Sequence, residues 1–266
     1  MRVFVLGSSG MLGRYVSKYL KDVSRDVVCV TRKELNAMYT TEEDVTLLGI
    51  ASGDVVINCV GLIKQRSDIE DLDFLLVNSI FPVVVARVCE EVGANFIHIT
   101  TDCVFDGSIG SYTESSDHSA IDIYGRSKSM GETENATIIR TSIIGEERVN
   151  FLSLLEWVRS QAGKTINGFT NHYWNGITCL TFAKICDYMI ENKLFWRGVK
   201  HIHSPETVSK FELVNMISEI YDLGISVVEY ETPEKCDRSL KSERTDVVIA
   251  VDPLYQQIKE TKNFEL

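Results

Sequence analysis

Short apolar runs alternate with helix-length segments over the first 140 residues of the chain. The runs have the length of strands and lie at about 2–6, 26–31, 54–59, 95–99 and 136–140. The segments between them predict helices at about 11–21, 41–50, 71–92 and 122–134. Continuous apolar runs are typical of parallel strands that are covered on both faces. The alternation therefore predicts an α/β fold with a Rossmann-type doubly wound parallel sheet.

The pattern becomes less regular in the second half of the chain. Ser209 and Glu212 form a capping-box signature at the start of a helix. The other predicted elements are helices at about 151–161, 180–192 and 253–262, and strands at about 199–203 and 225–230. We expect a first domain over residues 1–148, with part of 178–200 packing back on it. Residues 149–266 then form mainly a smaller C-terminal α/β lobe.

Three glycines follow the first strand at three-residue spacing: Gly7, Gly10 and Gly13. A strand, a glycine turn and a helix N-terminus form a socket for a diphosphate, because backbone N–H groups and the helix dipole face the anion. Ligands of such sheets bind at the carboxyl ends of the strands, so the end of the third strand should contribute as well. The predicted contacts are Gly7, Ser9, Gly10, Met11, Leu12, Cys59, Val60 and Gly61.

Composition narrows the classes of function. A hydrophobic content of 44% and a charged content of 24% are ordinary for a soluble globular protein. The net charge of -11 argues against binding to nucleic acid or to an anionic membrane surface. The 7 cysteines are scattered and contain no CxxC pair, so we expect reduced cysteines, a cytoplasmic location and no metal site. No apolar stretch approaches membrane-spanning length, so no membrane segment is expected.

Two further features carry chemistry. Tyr124 and Lys128 are four residues apart, which on a helix places both side chains on one face. An ammonium near a phenol lowers the tyrosine pKa and makes the phenol a proton donor and acceptor near neutral pH. Thr101 follows the fourth strand and can hydrogen-bond the oxygen that Tyr124 protonates. The alternatives are a surface tyrosine with a helical lysine, and a strand end that satisfies its own backbone.

Together these motifs resemble the extended short-chain dehydrogenases/reductases, specifically the dTDP-4-dehydrorhamnose reductase branch. The matching segments are GSSGMLG (7–13), VINCVG (56–61), VNSIFP (77–82), ITTDCVFDG (99–107), YGRSKSMGE (124–132) and IIRTSIIGEE (138–147), with weaker similarity at 171–178 and 237–240. Members reduce a 4-keto-6-deoxy sugar on a nucleoside diphosphate with a nicotinamide cofactor.

The resemblance implies a role for each matched residue. Thr101, Tyr124 and Lys128 are the implied catalytic residues: Thr101 orients the sugar carbonyl, Tyr124 protonates the developing alkoxide, and Lys128 binds the nicotinamide ribose. Tyr124 and Lys128 therefore also count as cofactor contacts. The first domain is implied to bind NADP and the lobe to bind the sugar nucleotide. The candidate substrate contacts are Asp102, Cys103, Asn150, Trp174, Asn175 and Arg238.

The end of the second strand indicates the form of the cofactor. Sites that prefer NAD place an Asp or Glu there, which accepts a hydrogen bond from the ribose 2′-OH. Here the strand ends with Thr31 and Arg32, without a carboxylate, and Arg32 can pair with a 2′-phosphate. We therefore expect NADPH, with Thr31 and Arg32 at the 2′ position and NADH as the alternative.

Departures from the family pattern leave other activities open. Sugar-nucleotide 4,6-dehydratases carry Asp-Glu after the catalytic Thr, whereas Asp102-Cys103 stands here, so a dehydratase is not expected. Bifunctional 3,5-epimerase/4-reductases that make nucleotide-linked rhamnose carry a cysteine at the place of Cys103 and a lysine shortly after an Asn-Phe pair. No lysine follows Asn150-Phe151 closely, which favours reduction alone. A non-catalytic NADP-binding protein, like the regulatory subunit of methionine adenosyltransferase, is a further alternative, and base rates alone suggest a homodimer.

Overall fold

The computed structural model describes residues 1–64, 69–149 and 151–266 of the chain. The strands are β1 (Val3–Leu6), β2 (Val27–Val30), β3 (Val55–Asn58), β4 (Asn95–Thr100), β5 (Thr137–Arg140), β6 (Ile143–Ile144), β7 (Thr165–Phe169), β8 (His172–Trp174), β9 (Ile177–Thr178), β10 (Gly198–His201), β11 (Val208–Ser209), β12 (Ser226–Tyr230) and β13 (Cys236–Asp237). The α-helices are α1 (Met11–Asp22), α2 (Glu42–Thr46), α3 (Asp71–Leu75), α4 (Phe81–Val92), α5 (Ile123–Met130), α6 (Leu154–Arg159), α7 (Cys179–Asn192), α8 (Lys210–Ile220) and α9 (Leu254–Asn263).

Six parallel strands form the central sheet in the order β10-β5-β4-β3-β1-β2. Helices cover both of its faces. On one face a core cluster joins Val5 to Tyr15 of α1 and Phe182 of α7, and on the other a cluster joins Phe4 to Val85 of α4. The strand order reverses between β1 and β3, which opens a crevice at the carboxyl ends of these strands. The predicted doubly wound parallel sheet is confirmed.

The second half of the chain contributes to the layers around this sheet. Strand β10 pairs with β5 and forms one edge of the sheet. Helix α7 packs on α1 within the same core cluster. Residues 179–201 therefore lie with the central sheet, and the domain boundary at residue 148 stays a prediction.

The helix expected over 71–92 contains a π-helical turn, Leu76–Ile80, between α3 and α4. Pro82 has no N–H that could bond the carbonyl of Asn78 four residues earlier, which accounts for the widened turn. By length and composition alone, Asp71–Val92 is a candidate membrane span, so the expectation that no such stretch exists was wrong. However, 56% of its most apolar window is buried, with Phe81 and Val85 packed in the core beside the sheet.

The C-terminal lobe combines small sheets with helices α6, α8 and α9. One sheet has the order β11-β8-β13, and the pairs β7–β12 and β6–β9 form two more. Leu155, Leu213 and Leu254 bring the three helices together in one apolar cluster. Helix α8 begins with the predicted capping box, because Glu212 N donates to Ser209 Oγ (3.1 Å) and Ser209 N donates to Glu212 Oε2 (2.6 Å).

Candidate active site

The glycine turn lies at the carboxyl end of β1, at the crevice where the strand order reverses. Gly7 has a φ of +75°, a conformation that favours glycine, and its N–H donates to Val30 O across 2.9 Å. Helix α1 begins after Gly10 without a side-chain cap, so its first-turn N–H groups are left for an anion. Of the other predicted contacts around the diphosphate, Ser9 is exposed, Met11 and Cys59 are partly buried, and Leu12 is buried.

The loop after β3 lies between the glycine turn and helix α5. A Cβ on Gly7 would stand 2.9 Å from Val60 Cγ2, and Val60 N donates to Asn58 Oδ1 across 2.9 Å. Gly61 continues this loop, and a Cβ on Gly61 would stand 2.7 Å from Lys128 Nζ. The structure therefore brings the ammonium of Lys128 to the loop that borders the glycine turn.

Asn78, in the π-helical turn, fixes this arrangement. Its carboxamide accepts a hydrogen bond from Leu62 N (3.0 Å) and donates to Leu62 O (3.2 Å) and to Ser127 Oγ (3.1 Å). Ser79 Oγ donates to Ser127 O across 2.7 Å. The turn thus ties the loop after β3 to helix α5, which carries the predicted catalytic pair.

Thr101 directly follows β4 and caps a short 3₁₀ turn over Asp102–Val104. Cys103 N donates to Thr101 Oγ1 (3.2 Å), and Thr101 Oγ1 donates to Asp102 Oδ1 (3.1 Å). A Cβ on Gly125 would stand 2.2 Å from Cys103 O, so α5 packs directly against this turn. Tyr124 precedes Gly125 and therefore lies beside the turn. The three predicted catalytic residues converge on one crevice, and their roles stay predictions.

Burial dominates the electrostatics of the pair on α5. It raises the pKa of Tyr124, although part of the side chain remains accessible; the charge of Cys103 adds to this rise, and a hydrogen bond with Thr101 opposes it. Burial lowers the pKa of Lys128 to about 8, against the opposing charge of Glu132. The net shift of the Tyr124 pKa is therefore upward and not downward, because burial of the phenol is its largest cause; the contribution expected of Lys128 stays a prediction.

Cys103 also lies in the crevice, next to Asp102. Burial raises the pKa of the Cys103 thiol to about 12, and the Asp102 carboxylate raises it further, while Arg238 and Lys64 act in the opposite direction. The thiol is thus neutral at physiological pH. No group of three or more His, Cys, Asp or Glu residues that could hold a metal ion occurs in 1–64, 69–149 or 151–266.

The predicted substrate contacts in the lobe differ in the burial and the hydrogen bonding of their side chains. Trp174 is buried, and the Nζ atom of Lys210 lies 5.4 Å from the centroid of its ring. Both sides of the Asn175 carboxamide are engaged, since it accepts from Leu240 N (2.9 Å) and donates to Leu240 O (2.8 Å). Asn150 lies outside the described residues. Sequence reasoning missed Lys210, because the sequence showed it only as a residue between Ser209 and Glu212 of the capping box.

Arg238 connects the lobe to the loop that follows the Thr101 turn. Its Nε donates to Phe105 O across 2.8 Å, and its Nη2 donates to Asp106 O across 3.2 Å. The guanidinium is thereby held close to Cys103, whose pKa it lowers. Substrate contact by Arg238, as by the other lobe residues, stays a prediction.

The end of β2 differs from the sequence expectation in one respect. A carboxylate is present there after all: Glu34 Oε2 accepts hydrogen bonds from Thr31 N (2.8 Å) and Thr31 Oγ1 (2.6 Å), which lower the pKa of Glu34. The sequence did not reveal it because Glu34 lies four residues beyond β2 and returns to the strand end only through the turn over 31–34. Arg32 is exposed at this position.

A buried polar network that the sequence did not predict lies behind the site. Arg140, at the end of β5, is 1% exposed. Its Nε donates to Glu132 Oε1 (2.9 Å), its Nη1 to His201 Nε2 (2.8 Å) and its Nη2 to His118 Nε2 (2.7 Å). Because a guanidinium has no acceptor, both histidine Nε2 atoms accept and both rings are neutral. Thr100 Oγ1 also donates to Glu132 Oε1 (2.7 Å), so the network fixes the end of β4.

Comparison with known proteins places this site in a family. The model of the family described as RmlD substrate binding domain matches residues 1–248. The spore coat polysaccharide biosynthesis protein SpsK of Bacillus subtilis is 31% identical over 247 residues, 88% of this chain and 84% of that protein. The probable low-salt glycan biosynthesis reductase Agl14 of Haloferax volcanii is 28% identical over 268 residues, 90% of this chain and 86% of that protein.

Two further similarities bear on fold and role. The β subunit of methionine adenosyltransferase 2 of Danio rerio is 28% identical over 250 residues, 85% of this chain and 75% of that protein. The crystal structure of dTDP-4-dehydrorhamnose reductase from Bacillus anthracis, in complex with NADP, matches with a TM-score of 0.83 at 21% identity over 98% of both chains. This last likeness shows that the two chains share a fold.

Proposed function

The chain belongs to the RmlD substrate binding domain family, and on this premise we propose that it is an oxidoreductase that reduces a nucleotide-linked sugar with a nicotinamide cofactor. The proposed reaction is the NADPH-dependent reduction of the C4 keto group of a nucleoside-diphosphate 4-keto-6-deoxy sugar. Its product would serve the biosynthesis of deoxysugars or polysaccharide precursors. Similarity to Agl14, which is named as a reductase, and to SpsK, which is named for polysaccharide biosynthesis, supports this proposal.

One observation carries the proposal. The ammonium of Lys128 lies against Gly61, in the loop that borders the glycine turn, while Tyr124 on the same helix lies beside the Thr101 turn. The proposed cofactor-binding element and the proposed proton-transfer element thus meet at one crevice. This is the arrangement that hydride transfer followed by protonation requires.

The residues at the crevice fit a dinucleotide. Gly7 adopts a positive φ, and the start of α1 has no side-chain cap, so the backbone can approach a diphosphate closely. When bound, the nicotinamide supplies a hydride. Lys128, with a pKa of about 8, carries its positive charge at neutral pH beside the loop after β3 and can bind the cofactor ribose.

Proton transfer is assigned to Tyr124. Burial raises the pKa of its phenol, so the hydroxyl holds its proton at neutral pH and can donate that proton to the sugar alkoxide. Thr101 Oγ1 lies at the adjacent strand end and orients the carbonyl oxygen toward this donor. Reduction is the direction in which the tyrosine must give up a proton.

We propose reduction without epimerisation. Abstraction of a proton from C3 or C5 of the sugar needs a base, and the Cys103 thiol, with a pKa raised to about 12, is protonated at neutral pH. Turnover in deuterium oxide tests this, because an epimerase incorporates deuterium at C3 or C5 whereas a simple reductase does not. Deuterium at either carbon would contradict this proposal and support the alternative function, a bifunctional 3,5-epimerase/4-reductase.

The activity is tested by NADPH oxidation with a panel of dTDP-, UDP- and GDP-linked 4-keto-6-deoxy sugars. Tyr124→Phe should lower kcat by about a hundredfold to ten-thousandfold, the usual contribution of a positioned general acid. Tyr188→Phe is the matched control, because Tyr188 is an exposed residue on α7, away from the crevice. Oxidation that is equally fast in wild type and Tyr124→Phe contradicts the assigned role.

A second candidate function is a non-catalytic NADP-binding regulatory subunit. The similarity to the β subunit of methionine adenosyltransferase 2 over 85% of this chain favours it. The same panel separates the two candidates. Absence of turnover with every sugar, together with activation of a methionine adenosyltransferase by the protein, would support the regulatory role and contradict the reductase.

A further inference from the structure

Three basic side chains act on the Asp102–Cys103 turn, in a chain whose net charge is -11. One of them, Lys64, is paired with the Asp122 carboxylate across 3.7 Å. Lys64 and Arg238 both lower the pKa of the Cys103 thiol, and Lys210 lies within electrostatic reach of Asp102 and of the same thiol. Lys210, at the start of α8, and Arg238, just after β13, both come from the lobe. Basic side chains that meet at a crevice of an acidic protein favour an anionic ligand.

The small sheet of the lobe holds Lys210 in position. Strand β11 ends at Ser209 and pairs antiparallel with β8, which places Val208 opposite Trp174. Lys210 then begins α8, and its Nζ lies 5.4 Å from the centroid of the Trp174 ring, a side chain that is 4% exposed. Burial lowers the pKa of Lys210. The Asp102 carboxylate opposes this shift, and an anion that binds beside the ammonium offsets the cost of its desolvation.

Arg238 presents a guanidinium that is already oriented. Its Nε and Nη2 donate to the carbonyl oxygens of Phe105 and Asp106. Both acceptors are uncharged, so these contacts fix the plane of the guanidinium without neutralising it. A guanidinium has five N–H donors, and the two contacts leave donors for an anionic oxygen.

We propose that Lys210, beside Arg238, binds the diphosphate of the nucleotide-sugar substrate and determines the affinity for nucleoside diphosphates. The proposal rests on the proposed function, in which the substrate is a nucleoside-diphosphate sugar. The diphosphate of the cofactor is proposed to bind at the glycine turn before α1, whereas Lys210 lies in the lobe at the start of α8. The two diphosphates therefore have separate binding sites.

Isothermal titration calorimetry with dTDP, UDP and GDP tests this without any need for turnover. Lys210→Met keeps the length and apolar character of the side chain but removes the charge, and we expect the Kd for the preferred nucleoside diphosphate to rise about tenfold or more. Lys210→Arg restores a cation and should recover most of the affinity. The Kd for the corresponding nucleoside, which has no phosphate, and the Kd for NADPH should not change.

Lys235→Met is the matched control. Lys235 lies just before β13 of the same small sheet, 5.4 Å from the Tyr173 ring centroid, but its side chain is 55% exposed. We expect this variant to bind nucleoside diphosphates like wild type.

The outcomes separate the two proposals. Wild-type protein that binds none of the three nucleoside diphosphates contradicts the proposed substrate class. Wild-type protein that binds one of them while Lys210→Met binds it equally well contradicts only the role of Lys210. An equal loss of affinity for NADPH in Lys210→Met also overturns that role, because it reports general damage to the fold.

Discussion

The ammonium nitrogen of Lys128 lies 2.7 Å from the point at which a Cβ on Gly61 would stand. Gly61 follows β3 beside the glycine turn, and Lys128 lies on α5, which packs on the Thr101 turn. The contact therefore joins the proposed cofactor side of the crevice to the proposed proton-transfer side. It depends on the absence of a side chain at residue 61.

Gly61→Ala should lower activity more than stability. The added methyl meets the end of a flexible side chain that can move aside, so the free energy of unfolding should change by no more than about 1 kcal/mol. The displaced ammonium leaves its position at the crevice, so kcat/KM should fall by about tenfold or more. Urea denaturation and steady-state kinetics measure the two quantities.

A double-mutant cycle provides the control for this prediction. Once Lys128→Met has removed the ammonium, Gly61→Ala should cause little further loss of kcat/KM, because the two residues act through one contact. Equal losses in the presence and absence of Lys128 would show that the methyl acts elsewhere.

The pH dependence of activity should follow the charge of Lys128. Burial lowers the pKa of Lys128 to about 8, so the ammonium is charged below that pH and neutral above it. The proposal requires the charged form, so kcat/KM should be constant near neutral pH and fall about tenfold per unit above pH 8. Rates measured at constant ionic strength give the profile. A kcat/KM that remains constant up to about pH 10 contradicts the prediction.

The central sheet was predictable because short, mainly apolar runs alternate with helix-length segments, a pattern typical of a doubly covered parallel sheet. The candidate catalytic residues were found through short local spacings, such as the four residues between Tyr124 and Lys128. Their convergence followed from topology, since the carboxyl ends of parallel strands meet at one edge. Local patterns and the topology of parallel sheets were thus sufficient to predict the crevice and its candidate residues.

Contacts between distant parts of the chain were not predictable. Arg140 meets His201 because β10 pairs with β5 at the sheet edge, 61 residues further along the chain. Lys210 reaches Trp174 through strands of two and three residues, which are too short to show alternation. The direction of the Tyr124 pKa shift depends on how deeply the ring is packed, and a sequence does not contain that quantity.

The preference for NADPH should depend on Arg32. Two hydrogen bonds hold Glu34 on Thr31, while Arg32 is exposed at the end of β2 and can reach a 2′-phosphate. Arg32→Ala should lower kcat/KM for NADPH about tenfold, because a charge-assisted hydrogen bond is lost, and should change kcat/KM for NADH by less than about twofold. Lys33→Ala, at the neighbouring exposed residue, is the control. Equal kcat/KM values for NADPH and NADH in the wild-type protein would contradict the prediction.

Acid should destabilise the protein through His201. Its Nε2 accepts from Arg140, and its Nδ1 lies 3.1 Å from Tyr112 O and 3.0 Å from Lys241 O, so the neutral ring carries its proton on Nδ1. Burial, with the neighbouring Arg140 charge, lowers the pKa of His201 to about 4. Between about pH 6.5 and pH 4 the unfolded chain binds a proton at this histidine that the folded chain does not.

The free energy of unfolding should therefore decrease as the pH is lowered across this window, by up to about 1.4 kcal/mol per pH unit from this one group. His201→Gln keeps a donor and an acceptor but does not titrate, so its free energy of unfolding should depend less on pH between 6.5 and 4. Urea denaturation at several pH values measures the slopes. His172→Gln, in the small sheet of the lobe, is the control and should keep the wild-type slope. If the free energy of unfolding depends on pH equally in wild type and His201→Gln, protonation of His201 is not the cause of the acid destabilisation.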